Sequence, residues 1–287
     1  MEQTVRTRDG LALVRHDWPS ADARGTIVIV HGLGEHIGRN AHVAARLNDN
    51  GWRVVGYDQR GHGQSPGARG GVAAGDDLLA DLAAVLDAVR AERPSDPLAL
   101  LGHSLGGLVA ARFVAGAVES PPPAWQRDVD ALVLSSPALD IGMTTSKNAL
   151  LAVLGSLTPD LAIGNGLEVA AISRDPQVVA AYRADPLVHD RISPRLIRFM
   201  VDAIACIRTL APRWRVPTLL LYAGSDRCVV PAGSAAFAAA APVARVTAHA
   251  FPALFHEIFN EPERDAVFAI LTAWLDTLTA LPSRSPR

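Results

Sequence analysis

A serine flanked by glycines is the residue pattern with the clearest chemistry. Gly102-His103-Ser104-Leu105-Gly106 follows an apolar run at 98–101 that is typical of a buried strand, and the small residues at 107–111 can begin a helix. The glycines let the backbone turn sharply enough to hold the Ser104 hydroxyl clear of a sheet. A simple glycine-serine turn is the structural alternative. We interpret Ser104 as the nucleophile of a serine hydrolase.

An activated serine needs a general base, and His256 stands where that base is expected. When the nucleophile lies on a strand-to-helix turn, the acid and then the histidine follow it in the chain. His256 comes after the last predicted strand and before the final predicted helix. His249 is the alternative base, but it falls at the end of the strand itself, where a packed or hydrogen-bonded strand residue is the simpler interpretation.

The carboxylate that orients the histidine is predicted to be Asp226, in a Gly-Ser-Asp sequence after the predicted strand at 218–222. A loop at that end of the sheet can bring the carboxylate to the imidazole nitrogen that faces away from the serine. An Asx turn is the structural alternative for this tripeptide. Asp58 also follows a strand, but it precedes Ser104 and therefore breaks the expected chain order.

Glycine-rich residues after the first confident strand predict an oxyanion hole. His31-Gly32-Leu33-Gly34 can fold back toward the nucleophile, so the backbone N–H of Leu33 is one expected donor and that of Leu105 is the other. A phosphate-binding loop is the alternative, but the spacing matches neither G-x-G-x-x-G nor a P-loop. No pair of histidines has metal-ligand spacing with a third partner. We predict chemistry without a metal or a cofactor.

The elements that must position these residues alternate between strand and helix. Continuous apolar runs predict strands at 26–30, 52–57, 98–101, 131–134, 218–222 and 245–248. Helical spacing appears at 42–50 and 76–92, and a last helix is expected from about 262 to 278. This alternation indicates a mostly parallel sheet covered by helices on both faces, with reactive loops at the carboxyl ends of the strands.

One segment interrupts the alternation. From about 141 to 207 the sequence has helical pieces separated by prolines and glycines, and no convincing strand. This segment is too long for a connecting loop and too apolar for a solvated tether. We predict a hydrolase core at 1–140, an inserted helical lid at 141–207 over the site, and the second part of the core at 208–287. Apolar lid residues should line the substrate entrance, with Leu154 and Leu157 as the predicted substrate-binding pair.

Composition limits the partners that the chain can have. The 287 residues carry 27 basic and 29 acidic side chains, and a formal net charge of -2 removes the electrostatic case for binding nucleic acid. Cys206 and Cys228 form no disulfide framework, and the polar N-terminal residues lack the apolar core of a signal peptide, so a cytoplasmic protein is expected. Transient membrane contact through the lid is the only membrane interaction predicted, and the oligomeric state stays unassigned.

Several motifs that span most of the chain carry a family resemblance. They are His31-Gly32-Leu33-Gly34-Glu35-His36, Asp58-Gln59-Arg60-Gly61-His62-Gly63-Gln64-Ser65, Gly102-His103-Ser104-Leu105-Gly106-Gly107, Ser173-Arg174-Asp175-Pro176, Asp185-Pro186-Leu187 and His256-Glu257-Ile258-Phe259-Asn260-Glu261-Pro262-Glu263-Arg264. With these motifs the chain resembles the monoacylglycerol lipase and lysophospholipase branch of the α/β-hydrolases.

This resemblance implies an α/β-hydrolase fold with Ser104, Asp226 and His256 as the triad. It also implies Leu33 and Leu105 as oxyanion donors and a helical lid over a hydrophobic acyl tunnel. Two positions depart from the pattern: Asn40 stands where the family often has an aromatic residue, and Cys228 lies two residues past the acid. Neither departure touches the predicted chemistry.

The expected reaction is hydrolysis of a carboxylic ester with a medium or long acyl chain, through an acyl-enzyme on Ser104. The substrate is a small-molecule lipid ester, with monoacylglycerols favoured. A lysophospholipase, a broad carboxylesterase and a peptidase of the same branch are alternative enzymes. A catalytically silent binding module is the alternative of a different class, and the intact set of Ser104, Asp226 and His256 argues against it.

Overall fold

Ten strands are present in the structure, a computed structural model that describes residues 3–278. Eight of them form one sheet in the order β1-β2-β4-β3-β5-β6-β9-β10. The strands are β1 Gln3–Arg6, β2 Ala12–Trp18, β3 Thr26–Val30, β4 Arg53–Tyr57, β5 Leu98–His103, β6 Ala131–Ser135, β7 Ile163–Gly164, β8 Arg191–Ile192, β9 Thr218–Ala223 and β10 Val246–Phe251. From β4 to β10 the neighbours in the sheet are parallel, whereas β1 and β2 are antiparallel.

Helices cover both faces of the sheet. They are α1 Ala41–Asp49, α2 Asp77–Glu92, α3 Leu105–Ala115, α4 Thr145–Leu157, α5 Pro176–Ala184, α6 Pro194–Leu210, α7 Pro231–Ala240 and α8 Arg264–Leu278. Because side chains alternate along a strand, Val28 and Val30 of β3 face the core under α2, α3 and α6, while Ile27 and Ile29 face the core under α1 and α8. The predicted mostly parallel α/β sheet is confirmed.

The six strands predicted from apolar runs are all present, and β5 extends to His103, directly before the candidate nucleophile. The sequence prediction missed β1 and β2. Polar residues such as Arg15 and Asp17 interrupt the apolar pattern of β2, although Arg15 is buried. Its guanidinium binds Glu92 of α2 in a bidentate pair at 2.7 and 2.8 Å, so a charged residue occupies an interior position.

The segment at 141–207 holds α4, α5 and most of α6 between β6 and β9. The expectation of no strand there is wrong in detail, since β7 and β8 pair as a small antiparallel sheet. Two-residue strands are too short to show a sequence period. The predicted boundary at 207 falls inside α6, whose Phe199 and Met200 pack in the same core as α3. Within residues 3–278, no helix is long and apolar enough to cross a membrane.

Candidate active site

Ser104 lies on a strained turn between β5 and α3. Its backbone has φ 54° and ψ -119°, a conformation that residues with a side chain rarely adopt. The turn is also crowded: a Cβ on Gly106 would lie 2.1 Å from the carbonyl oxygen of Val30. Only glycine allows this close approach, so Gly106 of the Gly-x-Ser-x-Gly pattern is required by the packing of the elbow against β3.

His256 and Asp226 form a buried pair. His256 Nδ1 lies 2.7 Å from Asp226 Oδ2, and the side chains are 6% and 1% exposed. The other carboxylate oxygen accepts the N–H groups of Cys228 and Val229 at 2.8 and 3.0 Å. Burial alone raises the pKa of Asp226, but the hydrogen bonds from His256 and these amides lower it below its usual value, so Asp226 is a carboxylate.

The alternative base and acid are placed elsewhere. Asp58 is buried, and its two carboxylate oxygens accept the N–H groups of Ile37 and Gln64, each at 2.8 Å. It therefore fixes loop geometry. His249 lies inside β10, opposite Leu221 of β9. The structure thus brings His256 together with Asp226, and both Ser104 and His256 line one cavity.

The predicted oxyanion donors also reach this cavity. Leu105 is the first residue of α3, so its N–H has no acceptor inside the helix. In the loop after β3, His31 Nε2 accepts the N–H of Gln59 at 3.0 Å, so His31 Nδ1 carries the proton and donates to the Gly32 carbonyl at 2.8 Å. Because a trans peptide directs its C=O and N–H oppositely, the Leu33 N–H points away from the His31 ring.

His103 packs directly against the candidate base. The two ring centroids lie 4.8 Å apart, and His103 Nδ1 is 3.1 Å from the carbonyl oxygen of Ser135. Burial lowers the pKa of His103, and the neighbouring His256 lowers it further. A neutral His103 ring therefore packs against His256 without adding a second charge.

The cavity has a volume of about 560 Å³, within the range of pockets that hold small molecules. Much of its wall is apolar, and a smaller set of charged and amide side chains adds polar contacts. The apolar residues include Leu33, Ile141, Met143, Ile163, Leu167, Ile172, Ile192, Ile197, Met200 and Val229, and the polar residues include Lys147, Asn165, Glu168 and Arg227.

The structure does not bring Leu154 and Leu157 to this cavity. Both lie on α4, where Leu154 is half-buried and Leu157 is 73% exposed, and neither is among the residues that line the cavity. The side chains of the 141–207 segment that do line it come mainly from the part after α4 and from α6. A substrate-binding role for Leu154 and Leu157 stays a prediction.

Sequence reasoning missed a buried ion cluster beside the site. Arg39 binds Glu257 through both of its terminal nitrogens and also binds Glu35, which is part of the loop after β3. The spacing of Glu35 and Arg39, four residues apart, was the available local signal. Glu257 lies far away in the chain, and only the fold brings it to the other two residues.

Asp226, Cys228 and His256 are the group in the described part of the chain that could hold a metal ion, with one ligand atom from each within 4.8 Å. Their chemistry fits proton transfer better. The facing atoms of Asp226 and His256 are already hydrogen-bonded to each other. Burial and the Asp226 charge raise the pKa of the Cys228 thiol, which disfavours the thiolate that binds metals.

Comparison with known proteins agrees with this geometry. Residues 21–263 match the family model described as serine aminopeptidase, S33. The monoacylglycerol lipase of Mycolicibacterium smegmatis is 34% identical over 270 residues, which cover 93% of each chain. Phospholipase YtpA of Bacillus subtilis is 30% identical over 264 residues, which cover 90% of this chain and 98% of that protein.

A solved structure shows the same relationship. The crystal structure of Paleococcus ferrophilus monoacylglycerol lipase matches this fold with a TM-score of 0.81 and 35% sequence identity, over 93% of this chain and 99% of that one. The family model covers most of the sequence. The sheet, the turn at Ser104 and the match to the lipase crystal structure agree with this family. The chain belongs to the serine aminopeptidase S33 family of the α/β-hydrolases and is an ester hydrolase.

Proposed function

We propose that this protein hydrolyses monoacylglycerols with medium or long acyl chains through an acyl-enzyme on Ser104. The observation that carries the proposal is that Ser104, on its strained turn, and His256, which is hydrogen-bonded to Asp226, line one cavity whose walls are largely apolar. The relatives named monoacylglycerol lipase, similar over most of the chain, support this substrate class.

The proposed mechanism follows from the hydrogen bonds of the site. Ser104 Oγ attacks the ester carbonyl while His256 takes the serine proton, and Asp226 holds the imidazole through Nδ1 and stabilises its charged form. The N–H groups of Leu33 and Leu105 bind the oxyanion. His256 then protonates the leaving glycerol, and a water molecule repeats the sequence to release the fatty acid and free Ser104.

Acyl-chain binding is assigned to the lid, which we propose spans 141–207 between the two parts of the core. Leu167, Ile197 and Met200 contribute apolar wall to the cavity from this segment. Each methylene that leaves water for such a wall contributes about 0.8 kcal/mol, so affinity should rise with chain length until the cavity is filled. A short acetyl ester gains little from these contacts.

The lid also supports the proposed transient contact with a membrane. Leu150, Val153 and Leu157 on α4 and Leu161 after it are 58%, 54%, 73% and 58% exposed. A cluster of large exposed apolar side chains is typical of a surface that meets a membrane or a partner. Ile163 is both 42% exposed and part of the cavity wall, which gives a lipid a short path inward.

The free thiols of Cys206 and Cys228 suit the proposed cytoplasmic location.

A specific observation favours lysophospholipids as a second substrate class. Lys147 is the single lysine of the sequence, and it lines the cavity. Its ammonium donates to the Gly142 carbonyl at 3.0 Å, whereas the other lining cation, Arg227, is paired with Glu168. In the part of the chain that the structure describes, no carboxylate pairs with Lys147. A phosphate on the leaving group would meet this uncompensated charge.

The test is a substrate panel with the purified protein: a medium-chain monoacylglycerol, a lysophospholipid of the same acyl chain and an acetyl ester. We expect the highest kcat/KM for the monoacylglycerol and no turnover by Ser104→Ala. A higher kcat/KM for the lysophospholipid, lowered selectively by Lys147→Met, would establish the second candidate instead. Highest kcat/KM for the acetyl ester would overturn both assignments and indicate a broad carboxylesterase.

A further inference from the structure

Arg39 lies between the two loops that carry the proposed chemistry. It belongs to the short helical turn Ile37–Asn40, directly after the loop that holds Leu33. Its NH1 donates to Glu35 Oε2 at 2.9 Å and to Glu257 Oε1 at 2.7 Å, and its NH2 donates to Glu257 Oε2 at 2.8 Å. The three side chains, called here the arginine cluster, are only 11%, 6% and 6% exposed.

Glu35 connects the arginine cluster to the oxyanion loop. Its Oε1 accepts the N–H of Gly32 at 2.5 Å, one peptide before the proposed donor N–H of Leu33. Burial by itself raises the pKa of Glu35, but the Arg39 charge outweighs it, and with smaller contributions from His103, His31 and the Gly32 hydrogen bond the pKa lies below its usual value. The carboxylate form of Glu35 is therefore favoured, and its two oxygens join the Gly32 amide to the guanidinium.

Glu257 connects the same guanidinium to the base. It follows His256 in the chain, and its Oε2 also accepts the side-chain amide of Asn260 at 2.8 Å. Its backbone N–H donates to the Ile172 carbonyl of the lid at 2.8 Å. Glu257, the residue directly after His256, is thus held both through its side chain and through its backbone N–H.

The lid contacts Arg39 as well. The Arg39 guanidinium carbon lies 4.6 Å from the centroid of the Tyr182 ring, a cation–π arrangement, and Tyr182 is buried on α5. The planar face of the guanidinium therefore stacks on the lid while its edge binds two carboxylates. An arginine can do both at once, whereas a lysine offers a single point charge with no planar face.

We propose that Arg39 is a positioning residue that fixes the distance between the oxyanion donor Leu33 and the general base His256. It does so by holding Glu35 and Glu257 on one guanidinium, with Tyr182 of the lid packed over it. This inference rests on the proposed function of Ser104, His256 and Leu33. It assigns Arg39 no contact with the reacting atoms, so its loss should act on kcat through geometry.

The chain offers a control for the loss of a bidentate pair made by a buried arginine, although its partner Glu92 is 39% exposed. Arg15 binds Glu92 with the same two distances, 2.7 and 2.8 Å, and its side chain is 2% exposed, but it lies on the antiparallel strand β2 and does not line the cavity. Arg15→Lys should lower Tm while kcat stays within about twofold. A fall in kcat that follows only from weakening the ion pair of a buried arginine will appear equally in Arg15→Lys.

The experiment uses three variants: Arg39→Lys, Glu257→Gln and the double variant that carries both changes. Arg15→Lys is the control. Each protein is assayed on a monoacylglycerol and with a fluorophosphonate that labels Ser104. We expect Arg39→Lys to lower kcat by about 10- to 100-fold, with KM within about twofold, because small displacements of catalytic groups have effects of this size. Glu257→Gln should lower kcat similarly, and the double variant should fall little further, since both act through one pair. The labelling rate should fall in parallel.

Wild-type kcat and labelling rate in folded Arg39→Lys would overturn the positioning role. If Arg39→Lys does not fold, Glu257→Gln decides the question alone, since it keeps the size of the side chain. Strictly additive losses in the double variant, or an equal fall of kcat in Arg15→Lys, would also overturn it. Failure of the proposed function is distinguishable: the wild-type protein would then be labelled without turning over the monoacylglycerol, and the labelling rates of the variants would still test Arg39.

Discussion

His256 Nδ1 and Asp226 Oδ2 meet at 2.7 Å across 30 residues of sequence, in a position where the two side chains are almost fully buried. The carboxylate is held from its other side by two backbone N–H groups, so it cannot rotate away from the imidazole. With the proton of His256 on Nδ1, Nε2 is left as the nitrogen that can accept a proton, as the proposed mechanism requires.

Substitution of the triad is the first prediction. Ser104→Ala and His256→Ala should each lower kcat by about 10⁴ or more, and Asp226→Asn should cost somewhat less because it removes orientation and not the base itself. Steady-state kinetics on one ester would measure this. His249→Ala and Asp58→Asn are the controls: a crippled His249→Ala with a mild His256→Ala would show that the base is misassigned.

The oxyanion hole gives the second prediction. Leu33→Ala keeps the backbone N–H and should retain most of kcat, whereas Leu33→Pro removes the donor and should lower kcat by about 10² or more in a folded variant. Circular dichroism and Tm would establish folding before the kinetics are compared. Equal kcat in the two folded variants would contradict the donor role of Leu33.

Acid stability is the third prediction, because several buried histidines are held neutral. Burial lowers the pKa of His62 well below its usual value, and it lowers that of His189, on the lid, to about 4. In the unfolded chain a histidine has a pKa near ~6.5, so between about pH 6.5 and pH 4 the unfolded state binds more protons. The free energy of unfolding should therefore fall as the pH falls through this window.

Urea unfolding at pH 7 and pH 5 would measure this effect. His189→Asn removes one such group, so its free energy of unfolding should fall less than that of the wild-type protein between pH 7 and pH 5. The difference between the two falls should be at most about 1.4 kcal/mol for each pH unit. His16→Asn is the control, since this histidine lies on the partly exposed strand β2. An identical loss of stability in the wild-type protein and in His189→Asn would contradict the prediction.

The wall of the cavity gives the fourth prediction, with two lid leucines as a matched pair. Leu167 lines the cavity, while Leu157 is 73% exposed on α4. Leu167→Ser should raise KM for a medium-chain monoacylglycerol severalfold and leave KM for an acetyl ester nearly unchanged. Leu157→Ser should leave both KM values nearly unchanged, because Leu157 does not line the cavity. A chain-length-dependent rise in Leu157→Ser would instead support the role predicted for Leu154 and Leu157.

Much of the fold was readable from the sequence because its main signals are local. A fully buried parallel strand needs a continuous apolar run, and the elbow needs small residues on both sides of Ser104, so β3 to β6 and the turn that carries Ser104 can be identified without any contact. The order of serine, acid and histidine then favoured Asp226 over Asp58, and the position of His249 at the end of a strand favoured His256 as the base. Apart from this chain order, the inferences use patterns within a few residues of each other.

Tertiary structure decided what depends on residues far apart in the chain. Arg39 and Glu257 are separated by 218 positions, and no local pattern reports that their charges meet. Polar β2 joins the sheet because Arg15 finds Glu92 on α2, which an apolar period cannot reveal. The segment at 141–207 shows the same limit: its hydrophobicity predicted an apolar wall, but only packing decides that Leu167 faces the cavity and Leu157 faces solvent, since an apolar side chain has no intrinsic preference between a core and a binding surface.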